Sequence, residues 1–146
     1  MIGLVDTHGR QDTEELLGKL ETIHCKQIEY RGHVFWELDV DAIRERRPRL
    51  VIVDELAHTN VPGSANNKRY VDVQELLDTG IDVFTTLNVQ HIEGLSDEVA
   101  RITWAVVHET VPDSMLKLAD EIEVVDLPPG DLIARFATHN FFSAQN

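Results

Sequence analysis

A short apolar stretch that ends in two acidic residues is the feature that most constrains this chain. Residues 50–53 read Leu-Val-Ile-Val, and Asp54 and Glu55 follow directly. Four consecutive apolar residues, three of them β-branched, predict a strand buried on both faces of a parallel sheet. Because such sheets bind ligands beyond the carboxyl ends of their strands, we expect both carboxylates at the mouth of a crevice. There the first acid can hold the water shell of Mg²⁺ and the second can orient an attacking water, although a lone Asp at a strand end is more often only a solvated surface residue.

Composition limits the classes of function. The chain has 146 residues, 42% of them hydrophobic, which predicts one globular domain. Its net charge of −13 argues against a nucleic-acid partner and against contact with an anionic membrane, although Lys68-Arg69 forms a local basic patch that suits phosphate. Cys25 is the only cysteine, so no internal disulfide can form. No apolar run approaches the roughly 18 residues of a membrane span, which predicts a soluble chain. The single cysteine fits a reducing compartment, and we expect a cytoplasmic location.

The spacing of apolar residues predicts strands that alternate with amphipathic helices. The predicted strands cover residues 2–5, 26–30, 50–53, 81–87 and 122–127, with a short extended piece at 104–107. Three predicted helices begin at the caps Asp12-Thr13, Asp39 and Ser96. Another is predicted from Lys68 to Gly80, and short helices are predicted near residues 115–118 and 131–136. This alternation predicts an α/β fold, a mainly parallel sheet with helices on both faces.

Polar residues follow several of these strands and are expected to meet at one rim of the sheet. The rim set is Asp6, Thr7, His8, Asp54, Glu55, His58, Thr85, Thr86, Asn88, Gln90, His91 and Asp126. The candidate nucleotide- and Mg²⁺-binding residues are Asp54, Glu55, His58, Lys68, Arg69, Thr86, Asn88, Gln90 and His91. Glu55 is the one candidate catalytic residue, because a carboxylate in second position can handle water.

Two observations weigh against a strong metal or nucleotide site in this chain. His8, His58, His91 and Asp54 offer metal ligands, but no pair has the helical i, i+4 spacing, so hydrogen-bonded histidines are favoured and no resident metal is assigned. The phosphate-binding pattern Gly-x-x-x-x-Gly-Lys-Ser/Thr does not occur in the sequence. Without that loop, a triphosphate lacks its nest of backbone amides and its lysine.

Several longer strings carry a resemblance to a known family. They are residues 6–10, residues 53–60 with Pro62-Gly63-Ser64 and Lys68-Arg69, and residues 80–83, 85–91, 109–113 and 125–129. Over about residues 2–135 the chain resembles the N-terminal cytoplasmic domain of the KdpD family, osmosensitive sensor histidine kinases of potassium uptake. The resemblance implies a P-loop-NTPase-like fold that here lacks its first strand and phosphate loop. It also implies the Mg²⁺ and water roles for Asp54 and Glu55.

The resulting expectation is a regulatory sensor domain over residues 1–135, N-terminally truncated relative to the family, with a divergent or disordered tail at 136–146. Its partners would be the histidine kinase and response-regulator components of a potassium-responsive two-component system. A sheet edge left exposed would allow a homo-oligomer. Whether the chain is an enzyme stays open. The alternatives are a weak nucleotide hydrolase, with ATP and Mg²⁺ as cofactors if another chain supplies the phosphate loop, and a metal-dependent hydrolase using His8, Asp54 and His91.

Overall fold

The computed structural model describes the backbone of residues 1–138 and the side chains of residues 1–134. The strands are β1 (Ile2–Leu4), β2 (Lys26–Tyr30), β3 (His33–Glu37), β4 (Leu50–Val53) and β5 (Asp82–Thr85). The helices are α1 (Gln11–Leu17), α2 (Val40–Arg46), α3 (Arg69–Asp78), α4 (Glu93–Thr103), α5 (Asp113–Leu116) and α6 (Pro129–Thr138), with a 3-10 turn at Val89–His91. Residues 139–146, most of the predicted tail, lie outside the described residues.

A three-stranded parallel sheet confirms the predicted α/β class. Its order is β1-β4-β5, so the central strand is the one that precedes the two acids. The outer edge of β1 is covered by the backbone of residues 21–23: the Ile2 N–H donates to the Glu21 carbonyl at 2.7 Å, and Ile23 donates to the Ile2 carbonyl at 2.9 Å. In the described sheet, the edge that is left uncovered is therefore that of β5.

The hydrophobic core lies on one face of this sheet. Val51 and Val53 are fully buried there, in one cluster with Ile43 of α2 and Leu76 of α3. On the opposite face Ile52 is half-buried, and its register partner Phe84 is 65% exposed. The strand β4 is thus fully buried on the α2–α3 face alone, because side chains of a strand alternate between its faces.

An antiparallel hairpin forms a second, separate sheet. The strand β2 was predicted, but β3, its partner, was missed. Arg31 (φ 51°) and Gly32 (φ 77°) both adopt left-handed backbone, the conformation that a two-residue hairpin turn requires. The chain therefore passes through this two-residue turn directly from β2 into β3.

Only some of the helices begin at the residues that the sequence predicts. Asp39 caps α2 as predicted, since its Oδ1 accepts the Ala42 N–H at 2.9 Å. The helix α1 begins at Gln11, before the predicted Asp12-Thr13 cap, and α4 begins at Glu93, so that Ser96 lies inside it. The Ser96 hydroxyl donates to the Glu93 carbonyl at 2.9 Å, which is a bond within the helix.

The strand predicted at 122–127 is wrong. Residues 121–128 have no regular secondary structure, and Val124 and Val125 are exposed. The extended piece at 104–107 also forms no strand, and Trp104 ends α4 in left-handed backbone. A strand needs a neighbour for its backbone N–H and C=O groups, and the described sheet provides none for either segment. None of the described helices is long and apolar enough to cross a membrane.

Candidate functional site

The carboxylate of Asp54 joins the ends of the three parallel strands. Its Oδ1 accepts a short hydrogen bond from the Thr86 hydroxyl, just after β5, and another from the Glu55 N–H at 3.0 Å. Its Oδ2 accepts the N–H of Asp6, which follows β1, at 3.3 Å. The predicted meeting of strand ends is confirmed for these residues, which we call the rim hub: Asp6, Asp54, Glu55 and Thr86.

Glu55 holds an unusual backbone conformation within this hub. Its φ of 55° is left-handed, which costs a non-glycine residue about 1–2 kcal/mol. Hydrogen bonds offset that cost: the Glu55 N–H also lies 3.1 Å from the Thr86 Oγ1, and the Glu55 carbonyl accepts the His58 N–H at 3.0 Å. Such strain persists where the surroundings fix it, and it is frequent at ligand sites.

Three exposed side chains at the hub together offer ligand atoms for a cation. Ligand atoms of Asp6, His8 and Glu55 all lie within 4.8 Å of one another, and all three residues are exposed. Two carboxylates suit a hydrated Mg²⁺, which keeps most of its waters, whereas an imidazole ligand is more typical of transition metals. This group differs from the predicted set of His8, Asp54 and His91, because neither Asp54 nor His91 belongs to it.

Arg69 lies in the interior and does not form the expected surface patch with Lys68. Its Nη1 donates to the Asp54 carbonyl at 3.1 Å, and its Nη2 pairs with Oε2 of Glu37 at 3.3 Å. The Lys68 ammonium donates to the Thr59 hydroxyl at 2.6 Å. Arg69 therefore positions the backbone behind the hub, and Lys68 alone of the two presents a charge near the surface.

Glu37 is a central residue that sequence reasoning missed. It is buried at the end of β3, where its Oε1 lies 3.2 Å from the His58 Nε2 and accepts the Val61 N–H at 2.9 Å. Burial alone would raise the pKa of Glu37, but these hydrogen bonds and the charges of His58 and Arg69 together hold it below its usual value. The sequence signal was weak, because β3 itself was not predicted.

A small cleft adjoins the hub. It is lined by three of the predicted residues from the β5 end, Thr86, Asn88 and His91, together with Glu55, Leu56, Ala57, His58, Leu87 and Glu109. Its volume of about 70 Å³ is far below the roughly 300–1,000 Å³ of typical small-molecule sites, so it fits waters or a hydrated ion and not a nucleotide. This cleft by itself is therefore too small to enclose ATP.

Glu109, which was also missed, closes one side of this cleft. Its Oε1 accepts the Thr59 N–H at 2.8 Å, and its backbone carbonyl lies 2.6 Å from the His91 Nδ1. Because a carbonyl can only accept, Nδ1 carries a proton, and in the neutral imidazole the His91 Nε2 is then an acceptor. Burial opposes ionisation of Glu109, yet the bonds from Thr59 outweigh it and keep its pKa lowered.

Gln90 and Asp126 are predicted rim residues that belong neither to the rim hub nor to the cleft. Gln90 is exposed in the 3-10 turn and does not line it. The Asp126 carboxylate accepts the N–H of the next residue, Leu127, at 2.8 Å, within the segment that is not a strand.

Comparison of the sequence with known proteins identifies the family of this chain. A family model described as KdpD, the osmosensitive K⁺ channel His kinase sensor domain, matches residues 1–146. The chain belongs to the KdpD sensor-domain family. Its KdpD relatives include the Sensor protein KdpD of Mycobacterium tuberculosis H37Rv, 50% identical over 97% of this chain, and that of Escherichia coli K12, 51% identical over 92% of it. The Putative sensor protein KdpD of Synechocystis is 43% identical over the whole chain.

The chain spans a small part of these KdpD relatives. It covers 16% of the M. tuberculosis protein, 15% of the E. coli protein and 43% of the Synechocystis protein. Membership of the family therefore assigns this chain to the sensor domain of a histidine kinase sensor protein, and it is consistent with a role in sensing and signalling. The division at residue 135 and the kinship with P-loop NTPases stay predictions.

Proposed function

We propose that this chain is the regulatory domain of a potassium-responsive two-component system and acts by ligand-dependent change of conformation. The supporting observation is the rim hub, in which one carboxylate couples the ends of three strands. A ligand that binds one arrangement of the hub better than another shifts the population towards it. No chemistry by the chain itself is needed for such signalling.

The contacts around Glu55 supply a route for that change. The Glu55 carboxylate lies 3.8 Å from the Arg69 guanidinium, which in turn pairs with Glu37 on the hairpin. The Glu55 carbonyl holds the His58 N–H, and His58 also contacts Glu37. A cation or anion that repositions Glu55 would therefore act on the β2–β3 hairpin through two sets of contacts. We propose the cytoplasmic kinase region or its response regulator as the partner.

A chimeric kinase tests this proposal. The matching segment of the E. coli relative is replaced by this chain, and autophosphorylation is measured across a potassium series. We expect potassium-dependent output, and we expect Thr86→Val to shift or flatten that dependence while the maximal autophosphorylation rate is kept. Asp126→Asn, outside the cleft, is the matched control and should leave the response unchanged. An identical response in the Thr86 variant would refute a signalling role for the hub.

A weak Mg²⁺-dependent nucleotide hydrolase is the second candidate. The observation that favours it is the Asp6, His8 and Glu55 group beside Asp54, which offers carboxylates for a hydrated ion. The reaction would need a phosphate loop from another segment, with Asp54 oriented towards the ion and Glu55 towards water. ATP turnover that Glu55→Gln abolishes, with ATP binding retained, would support hydrolysis over pure sensing.

A further inference from the structure

A second cavity lies away from the rim hub, between the hairpin, α2, α3 and the loop after β4. Its volume is about 90 Å³, and its lining includes the polar residues Asn60, Ser64, Asp72 and Glu75. A water occupies about 30 Å³ of liquid, so the cavity has room for an ion with one or two waters. Nothing in the proposed sensing site uses these residues.

Asp72 brings a buried negative charge to this cavity without a matching cation. It is 3% exposed, and its carboxylate oxygens accept hydrogen bonds from two neutral amides, Asn60 Nδ2 at 2.6 Å and Asn66 Nδ2 at 2.8 Å. No ion pair to Asp72 within 4 Å is found among the described residues. Burial, together with the charge of Glu75, raises the pKa of Asp72; the two amide hydrogen bonds and the more distant charge of Arg69 do not outweigh it.

Two oxygens at the same cavity have no hydrogen-bond partner in the described part of the chain. They are the Asn60 Oδ1 and the Ser64 Oγ, and both are buried. Asn60 is only 6% exposed, and its amide nitrogen is already committed to Asp72 and to the Asn66 carbonyl at 3.0 Å. Those two acceptors fix the amide orientation, so the bare oxygen remains available to a ligand. Buried polar atoms are nearly always satisfied in folded proteins.

The basic residues at the cavity do not supply the missing charge. The Arg44 guanidinium donates to the Glu75 carboxylate at 2.8 Å, and its remaining buried Nε is a donor that suits a water. Lys26 is exposed on β2 and forms no ion pair among the described residues. Of the carboxylates that line the cavity, Asp72 is the one that is fully buried and forms no ion pair among the described residues. The cavity therefore combines this carboxylate with two unused neutral oxygens.

We propose that this cavity binds one monovalent cation of the potassium or sodium class, held by Asp72, the Asn60 Oδ1 and the Ser64 Oγ. A single positive charge balances the Asp72 carboxylate, and hard oxygen donors suit an alkali cation. Bound there, the ion ties the loop after β4 to α3. The inference does not depend on the proposed signalling function, because it concerns a separate site.

Thermal unfolding in matched salts tests the site. The melting temperature of the chain is measured in potassium chloride, sodium chloride and choline chloride at equal ionic strength. We expect a Tm higher by about 3–5 °C in potassium or sodium at roughly tenfold above Kd than in choline. Thallium(I) NMR gives a direct readout, with bound thallium displaced by potassium chloride or sodium chloride. Comparison of the two salts identifies the preferred ion.

Variants distinguish stabilisation by cation binding at this site from a general effect of salt on the melting temperature. Asp72→Asn should abolish the difference between potassium and choline, and Ser64→Ala should weaken thallium binding several-fold while leaving the fold intact. Asp41→Asn is the control, because this aspartate lies at the same cavity but is 83% exposed. Equal Tm in all three salts, or an unchanged salt difference in both the Asp72 and the Ser64 variant, would overturn the proposal.

Discussion

Glu37 and Arg69 form an ion pair in the interior, with 3.3 Å between the Arg69 Nη2 and the Glu37 Oε2. Both side chains are almost completely buried, at 5% and 3% exposure. Such a pair contributes little net stability compared with apolar residues, but removal of one partner leaves an uncompensated charge in a medium of low dielectric constant. The pair therefore fixes the position of the backbone behind Asp54 more than it strengthens the fold.

We expect Glu37→Gln to lower the free energy of unfolding by about 3 kcal/mol at neutral pH, because Arg69 loses its buried counter-charge. Urea denaturation monitored by circular dichroism measures the change. Glu29→Gln, on the exposed side of the same hairpin, is the matched control and should stay within about 0.5 kcal/mol of the parent. A loss below about 1 kcal/mol for the Glu37 variant would mean that the pair is open in solution.

The same variant should show a defined pH dependence. The pKa of Glu37 is lowered in the folded state, so its carboxylate contributes stability above the usual glutamate value of 4.5, and that contribution is lost as the pH falls through the folded pKa. The stability gap between the parent and Glu37→Gln should therefore narrow below about pH 4.5. Urea midpoints at a series of pH values test this, and a gap that widens in acid would contradict it.

Substitutions of Glu55 test whether the left-handed backbone at the rim is strained. Since φ is 55°, Glu55→Gly should be more stable than Glu55→Ala by about 1–2 kcal/mol, although glycine is the more flexible residue in the unfolded chain. Both variants remove the carboxylate, so the comparison isolates the backbone. Thermal or urea unfolding gives the difference, and an alanine variant as stable as the glycine variant would show that the left-handed conformation is not maintained.

Single residues of the site could be predicted from the sequence where a strand end placed them. Asp54 follows one predicted strand and Thr86 lies near the end of another, and parallel topology alone brings them together. Glu37 and Glu109 could not be found in this way, because their roles arise from contacts with residues 24 and 50 positions away, Val61 and Thr59. Arg69 looked like a surface cation in the sequence, and only tertiary packing buries it.

At the scale of elements, the hairpin is the unit that the sequence described least well. Its turn has only two residues, which is too short to mark clearly in the sequence where one strand ends and the next begins. In addition, β3 exposes Val34, Phe35 and Trp36 and buries Glu37. This inverted pattern gives no period-two signal with an apolar buried face. By contrast, β4 and α3 were predicted well, because an apolar strand and a glycine-terminated amphipathic helix are strong local signals.

The hairpin turn can be tested at Gly32. Its φ of 77° is left-handed, so we expect Gly32→Ala to destabilise the chain by about 1 kcal/mol and to loosen the strand that carries Glu37. Gly18→Ala is the matched control, since Gly18 has φ of −59° and alanine fits there without strain. Urea unfolding compares the two, and equal effects would argue against the tight turn.

At the scale of the whole molecule, the open edge of β5 is a surface through which the chain can bind a second copy of itself. Phe84 is exposed on this edge strand, and a homo-oligomer through the edge remains the prediction that size-exclusion chromatography with light scattering can decide. The predicted last strand at 122–127 does not cover the edge, because that segment is irregular in the fold.

A second prediction for the whole molecule concerns its affinity for nucleotides. The sequence has no phosphate-binding loop, Arg69 is buried, and the cleft holds about 70 Å³. We therefore expect ATP with Mg²⁺ to bind this chain with a Kd of about 1 mM or weaker, which is about −4 kcal/mol. Isothermal titration calorimetry measures it, and micromolar binding would contradict the expectation.

The meeting of three strand ends at one carboxylate supports every functional proposal made for the rim. A double-mutant cycle of Asp54→Ala and Thr86→Val measures that contact directly, through the unfolding free energies of the parent, both single variants and the double variant. A hydrogen bond to a partly exposed carboxylate predicts a coupling energy of about 1 kcal/mol. Single effects that add within about 0.3–0.5 kcal/mol would contradict the shared rim.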